Sequence, residues 1–312
     1  MRVPFQLEGF DDLVLAVTTS IGIAIGHRES AGELLRNADI ALYRAKEQGK
    51  NCFVLYDPDM SKRMRDRIEL ERDIVSAVGD RQFFLMYQPL FDSHGGRVIG
   101  AEAVIHWRHP SQGVVAADDF VPLLEEVGAV PEIGRWMLEE AARQGQYWHQ
   151  LGHRLDISVN ISRGQLENGT LAEDVAHALS SSGLDPSALI IEIAHSVISG
   201  DSARVVVELR RVKALGVKIV IGDFGTAYSA LAYLSQVPID GLKIDKSFMT
   251  TIEDATERGT LMNVLLELGK TLGLTTLVDG IDSSPQISGV GDLLTQPLAP
   301  EALTQLFATQ GT

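Results

Sequence analysis

From Phe83 onward the chain alternates short apolar runs with long amphipathic stretches, and this alternation limits the fold more than any other feature. The runs cover residues 84–91, 98–107, 155–161, 189–194, 217–222, 241–244 and 275–278. Between them, residues 120–151, 170–182, 202–215, 227–234 and 256–272 carry apolar side chains at helical spacing. Strand–helix repetition of this kind builds a parallel sheet, because parallel neighbours need a crossover long enough to hold a helix. This many units in one domain predict an α/β architecture, a modified (β/α)8 TIM-type barrel. An open doubly wound sheet is the alternative, but no glycine-rich phosphate loop opens any of the helices.

Ahead of the barrel the pattern differs. Residues 13–25 are rich in Val, Ile and Thr and read as strand. Residues 30–48 space Leu34, Leu35, Ala38, Leu42 and Ala45 as one helix face, and Gly49 follows as a stop. A short apolar run at 52–56 closes a small partial α/β unit over residues 1–56. Residues 57–82 read as a polar linker and a connecting helix over 65–79, and residues 83–312 as the barrel. The first unit holds too few apolar residues to bury a core of its own.

Charge removes several function classes. Lys and Arg total 27 against 42 Asp and Glu, a formal net charge of -15. A protein that grips a nucleic-acid polymer needs a basic face, so none is expected as partner. No apolar run reaches the roughly 18 residues a spanning helix needs, so no membrane insertion is expected. The single cysteine, Cys52, excludes an internal disulfide. With no signal-peptide pattern at the start, a cytoplasmic location is expected.

In such barrels chemistry sits where strands end. The predicted strands run into Glu102, Asn160, Glu192, Asp223 (after Gly222), Lys243, and Asp279 followed by Asp282. Hard oxygen donors from several strand ends suit Mg²⁺, Mn²⁺ or Ca²⁺, and a nearby lysine suits phosphate. This pattern points to metal-assisted phosphoester hydrolysis. Acidic residues after strands also cap helices, which is the structural reading of Asp223 and Asp279. Paired carboxylates in a barrel serve glycoside hydrolysis as well.

Seven stretches in order resemble the EAL domain family: Met86–Leu90, Gly100–Pro110, Val159–Ser162, Ile191–Ser196, Gly222–Leu234, Leu242–Phe248 and Val278–Asp282. Residues 13–56 are similar to the last third of a GGDEF domain. The resemblance implies a barrel that acts on cyclic di-GMP. It implies Glu102, Asn160, Glu192 and Asp223 as metal ligands, with Mg²⁺ or Mn²⁺ as cofactor where the site is competent and none where it is not. It implies Lys243 and Glu102 as catalytic, vestigial if the protein is inactive, and Gln88, His106, Asp279 and Asp282 as nucleotide-binding.

The departures from the family pattern are equally specific. Gly222 stands where the family has a metal-bridging aspartate, and His195 where a glutamate braces the following loop. His106 replaces an arginine, Ala227 a glycine, and Asp279 and Asp282 replace glutamates. Val290 and Asp292 fall where glutamine and tyrosine are expected, and a helix before them is missing from the pattern. The resemblance with these departures implies a degenerate protein of cyclic di-GMP signalling, a non-catalytic receptor or a regulatory interaction module, working as a homodimer or with a partner protein. A phosphodiesterase of low activity is the alternative.

Overall fold

The computed structural model describes residues 5–6, 14–15, 18–26, 30–91, 98–198, 203–224, 237–244, 264, 267–278 and 296–309. The chain divides into two compact units, Met1–Ile74 and Val75–Thr312.

In the first unit, β1 (Phe5–Gln6) pairs antiparallel with β2 (Val14–Leu15). β3 (Ile21–Ile23) is joined through α1 (Ala31–Glu47) to β4 (Phe53–Leu55), and the two strands pair in parallel. Ser30 starts α1 with a reciprocal cap. Its hydroxyl accepts from the Glu33 backbone N–H, and the Glu33 carboxylate accepts from the Ser30 N–H. Ala41 and Ala45 of the helix bury against Val54, with Cys52, Tyr56 and Met60 at the margin. Ile21, Phe53 and Leu55 stay exposed.

The segment expected to be a linker is helical. α2 spans Pro58–Gly79, starting at Pro58 rather than Arg65. The reason is local: Asp57 Oδ1 accepts from the Asp59 N–H at 3.0 Å, and proline at the first helical position needs no donor there. An Arg67–Glu71 pair at 2.8 Å supports the next turn.

The second unit holds an eight-stranded sheet. Its strands are β5 (Phe83–Phe91), β6 (Val98–His109), β7 (Gly113–Ala116), β8 (Asp156–Ile161), β9 (Leu189–Ala194), β10 (Lys218–Phe224), β11 (Gly241–Ile244) and β12 (Thr275–Val278). The order is β12-β11-β10-β9-β8-β6-β5, with β7 paired to β6. From β6 to β12 the neighbours in that path run parallel. The sheet curls until β12 comes beside β5. The fold is therefore α/β, a modified (β/α)8 barrel.

Two expectations need correction. The sheet is not parallel throughout: β5 runs antiparallel to β6, and β7 folds back on β6 as a hairpin. Only residues 92–97 separate β5 from β6, too few for a crossover helix. The long stretch 120–151 is two helices, α3 (Ala117–Glu126) and α4 (Val130–Gln150). Gly128 adopts φ 71°, and the Ala129 N–H reaches back to the Leu124 carbonyl at 2.9 Å. That left-handed residue closes α3 as a Schellman-type stop. Two elements that the pattern did not suggest are β7 and α5 (Arg163–Asn168).

α6 (Leu171–Ser182), α7 (His195–Ile198) and α8 (Ala203–Ala214) follow α5. Residues 227–234, the deleted-helix region, and Asp279, Asp282, Val290 and Asp292 lie outside the described residues, as does most of 256–272. α9 (Pro300–Thr309) closes the described chain. Just before it, Leu298 exchanges two backbone hydrogen bonds with Tyr87 of β5, at 2.8 and 2.9 Å. The helix is then anchored on α4. Trp148 donates its indole N–H to Thr304 Oγ1 at 2.9 Å and meets the Phe307 ring edge-on at 5.4 Å. Tyr87 approaches the same indole edge-on at 5.0 Å. Trp148 is fully buried.

This cluster gives a direct test. Phe307→Ala is expected to lower stability by about 3–5 kcal/mol through the cavity it leaves. It should also shift tryptophan emission to the red as water reaches Trp148. Urea denaturation followed by fluorescence reads both. An unchanged midpoint and spectrum would show that α9 is not held by this contact.

Candidate functional site

The polar strand-end residues are placed by the pleat. On β6, Ala101, Ala103, Ile105 and Trp107 are buried on one face, which leaves Glu102, Val104 and His106 on the other. Register then carries that second face across the sheet. Glu102 sits opposite Ser158, Asn160 opposite Glu192, and Glu192 opposite Val220. Gly222 lies two residues beyond Val220 and therefore shares its face. On β11, Leu242 pairs with Ile221, so Lys243 falls on the Gly222 side of the sheet. On the same face Ile190, Val220 and Leu277 form an apolar cluster, with Val220 paired to Glu192 and Leu277 to Lys243.

Beside them lies a compact ionic cluster. The Lys243 ammonium donates to Glu102 Oε2 at 2.5 Å and lies 3.0 Å from Glu192 Oε1 and 3.2 Å from Glu192 Oε2. Asn160 Nδ2 donates to the other Glu102 oxygen at 2.6 Å. Ser158 Oγ donates to Glu192 Oε2 at 3.1 Å. Glu102, Glu192 and Lys243 are buried, with relative exposures of 8%, 6% and 5%, while Asn160 stands at the solvent rim. Burial pushes the Glu192 carboxyl up to about 7; the Lys243 charge pulls it down, and the Glu102 charge adds to the rise. The cluster carries two acids for one base, and burial is the main reason that the Glu192 carboxyl rises.

Gly222 shapes this arrangement. Its backbone is ordinary strand, so no left-handed conformation demands glycine. Space does. A Cβ at 222 would lie 2.7 Å from Glu192 Oε1 and about as close as 3.4 Å to its Cγ. The Glu192 carboxylate thus occupies the volume a side chain at 222 would take. It cannot swing away without loosening its bonds to Lys243 and Ser158.

The other residues proposed from sequence are placed as follows. Gln88 of β5 is half-buried and sits directly across from Glu102. His106 lies on the same face as Glu102, further toward the strand end. It is half-buried, with its ring 5.8 Å from Phe84 and Nδ1 3.2 Å from the Val104 carbonyl. Asp223 follows Gly222 in β10, and its side chain lies outside the described residues. His195 opens α7, beside the end of β9. Ser158 was not singled out from sequence, yet it is buried and bonded to Glu192. The period of two that placed Asn160 would have found it, because i and i+2 of a strand share a face.

The donor chemistry of the cluster is right for an oxygen-seeking divalent ion, but its arrangement is not. Lys243 fills the space between the carboxylates, and Asn160 turns an N–H, not its oxygen, toward Glu102. No three His, Cys, Asp or Glu side chains are grouped to hold a metal among the described residues. As they stand, these residues do not fit a Mg²⁺ or Mn²⁺ ion.

Comparison with known proteins gives a consistent picture. The EAL domain family model matches residues 71–294, and that of the diguanylate cyclase GGDEF domain matches residues 7–52. The bifunctional diguanylate cyclase/cyclic di-GMP phosphodiesterase MucR of Pseudomonas aeruginosa is 35% identical over 286 residues, 91% of this chain and 41% of that protein. The cyclic di-GMP phosphodiesterase NbdA of the same organism is 31% identical over 319 residues, 98% of this chain and 40% of that protein. The chain therefore spans well under half the length of these curated relatives. Among solved structures, the MucR phosphodiesterase in complex with c-di-GMP superposes with a TM-score of 0.69 at 35% identity, covering 75% of this chain and 99% of that one. The FimX EAL domain of P. aeruginosa, bound to c-di-GMP, shares the fold at 19% identity and a TM-score of 0.61, covering 73% and 90% of the two chains.

The role of Gly222 as a space-maker is testable. Gly222→Ala is expected to destabilise the chain by about 1–3 kcal/mol, the range for overfilling a packed site. In a Glu192→Ala background the same change should be close to neutral, so the two substitutions couple by about 0.5–3 kcal/mol. Equilibrium unfolding of the four proteins of the cycle measures this. Additive effects would mean that the alanine meets something other than Glu192.

Proposed function

This chain belongs to the EAL domain family, and from that premise we propose that it is a non-catalytic receptor for cyclic di-GMP. One observation carries the reading. At 222, where the resemblance places a metal-bridging aspartate, there is glycine, and the Glu192 carboxylate leans into the vacant volume to pair with Lys243. Among the described residues, both carboxylates are already engaged by the Lys243 ammonium.

Binding asks less of the site than hydrolysis does. Gln88, with two donors and an acceptor on its amide, sits across from Glu102 on the face that leads to the strand ends. His106 lies on the same face and brings a flat ring backed by Phe84. Nucleobases are held by such amide edges and stacking faces. The solved complexes of MucR and FimX with c-di-GMP support cyclic di-GMP as the ligand. In this reading Asp279 and Asp282 complete the nucleotide contacts, and signalling passes through a second copy of the chain or a partner protein.

One observation favours the alternative reading of a weak phosphodiesterase. Glu102, Asn160, Glu192 and Lys243 all persist and touch. A single assay separates the two readings. Cyclic di-GMP is expected to bind in calorimetry and to raise stability by about 2.7 kcal/mol at 100 times its Kd. No linear dinucleotide should appear with Mg²⁺ or Mn²⁺ present. Product formed above the no-protein control and abolished by Glu102→Ala would establish the enzyme. Absence of binding would leave only an interaction module.

A further inference from the structure

We propose that Lys243 is the resident cation of this site: its ammonium holds Glu102 and Glu192 in place of a divalent metal, so that the chain excludes such metals and keeps its barrel mouth preformed without them. This deepens the receptor reading and rests on it.

Three observations carry the inference. The ammonium lies within 2.5 Å of Glu102 and 3.0 Å of Glu192, so it touches both carboxylates a metal would need. Each carboxylate is further committed, Glu102 to the Asn160 amide and Glu192 to the Ser158 hydroxyl. The lysine is buried with a relative exposure of 5%, so it does not exchange with water at the rim. Gly222 makes the arrangement possible, because any side chain there would press on the Glu192 carboxylate. Buried side chains already held by direct contacts to one another resist substitution, whereas an open set of carboxylates draws a divalent ion.

The probe is Mn²⁺ alone, without nucleotide, added to the full chain. Calorimetry and the electron paramagnetic resonance of free Mn²⁺ count bound ions, and thermal melting with Mn²⁺ or with chelator reads the effect on the fold. The native chain is expected to bind no Mn²⁺ at the cluster and to melt at the same temperature in chelator. Lys243→Met should bind Mn²⁺ at the cluster where the native chain binds none, and melt higher when Mn²⁺ is added. Lys243→Arg, which keeps the charge, should exclude Mn²⁺ as the native chain does. Mn²⁺ bound by the native chain and lost in Glu102→Gln would overturn the inference, and this arm stands even if Lys243→Met fails to fold. A folded Lys243→Met that binds no more Mn²⁺ than the native chain would overturn it as well. The outcomes stay separate from those of the receptor reading. Native Mn²⁺ binding with nucleotide bound but not hydrolysed would sink the inference alone. Exclusion of Mn²⁺ together with failure to bind cyclic di-GMP would sink the receptor reading alone.

Discussion

A carboxylate taken out of water into a barrel loses several kcal/mol of hydration, and two side by side also repel each other. Glu102 and Glu192 are both placed in that position by register, one on β6 and one on β9. Only a cation between them makes the arrangement tenable. Lys243 arrives from β11, on the far side of β10, whose Gly222 leaves its side-chain volume to the Glu192 carboxylate. The strand order, the small residue on β10 and the reach of a lysine side chain are thus one solution to one electrostatic problem. The apolar neighbours Ile190, Val220 and Leu277 on the same face make the problem sharper.

Much of this was legible in the sequence. The strand positions were, because buried strands of a parallel sheet read as near-continuous apolar runs. So were Glu102, Asn160, Glu192 and Lys243, because a polar residue that interrupts or ends such a run is conspicuous. The direction of β5 was not, since an antiparallel and a parallel strand have the same apolar pattern and only the shortness of segment 92–97 tells them apart. The break at Gly128 was hidden by apolar residues that continue in phase on both sides. β7 is four residues of which only one is buried, too little to leave a periodic mark.

The meaning of Lys243 and Gly222 depended on three-dimensional placement. Spacing shows that a lysine lies on a strand; it does not show that its ammonium comes to rest between acids from two other strands. Likewise a glycine in a strand is read as lost packing or lost chemistry. The volume that Glu192 fills above Gly222 turns that absence into a positive structural role. Ser158 shares a strand face with Asn160, but that its hydroxyl serves Glu192 depends on the fold.

The pairing of Leu298 with Tyr87, and of Phe307 with Trp148, has a consequence for how the protein is made. A ribosome delivers β5 and α4 long before it delivers α9. Until then the newborn chain carries an open strand edge at Tyr87 and an uncovered indole, both inviting surfaces for another unfinished copy or for a chaperone. Contacts between such distant parts of the sequence also form slowly once the chain is free. α9 therefore acts as a late-arriving clasp over the Tyr87 edge and the Trp148 indole.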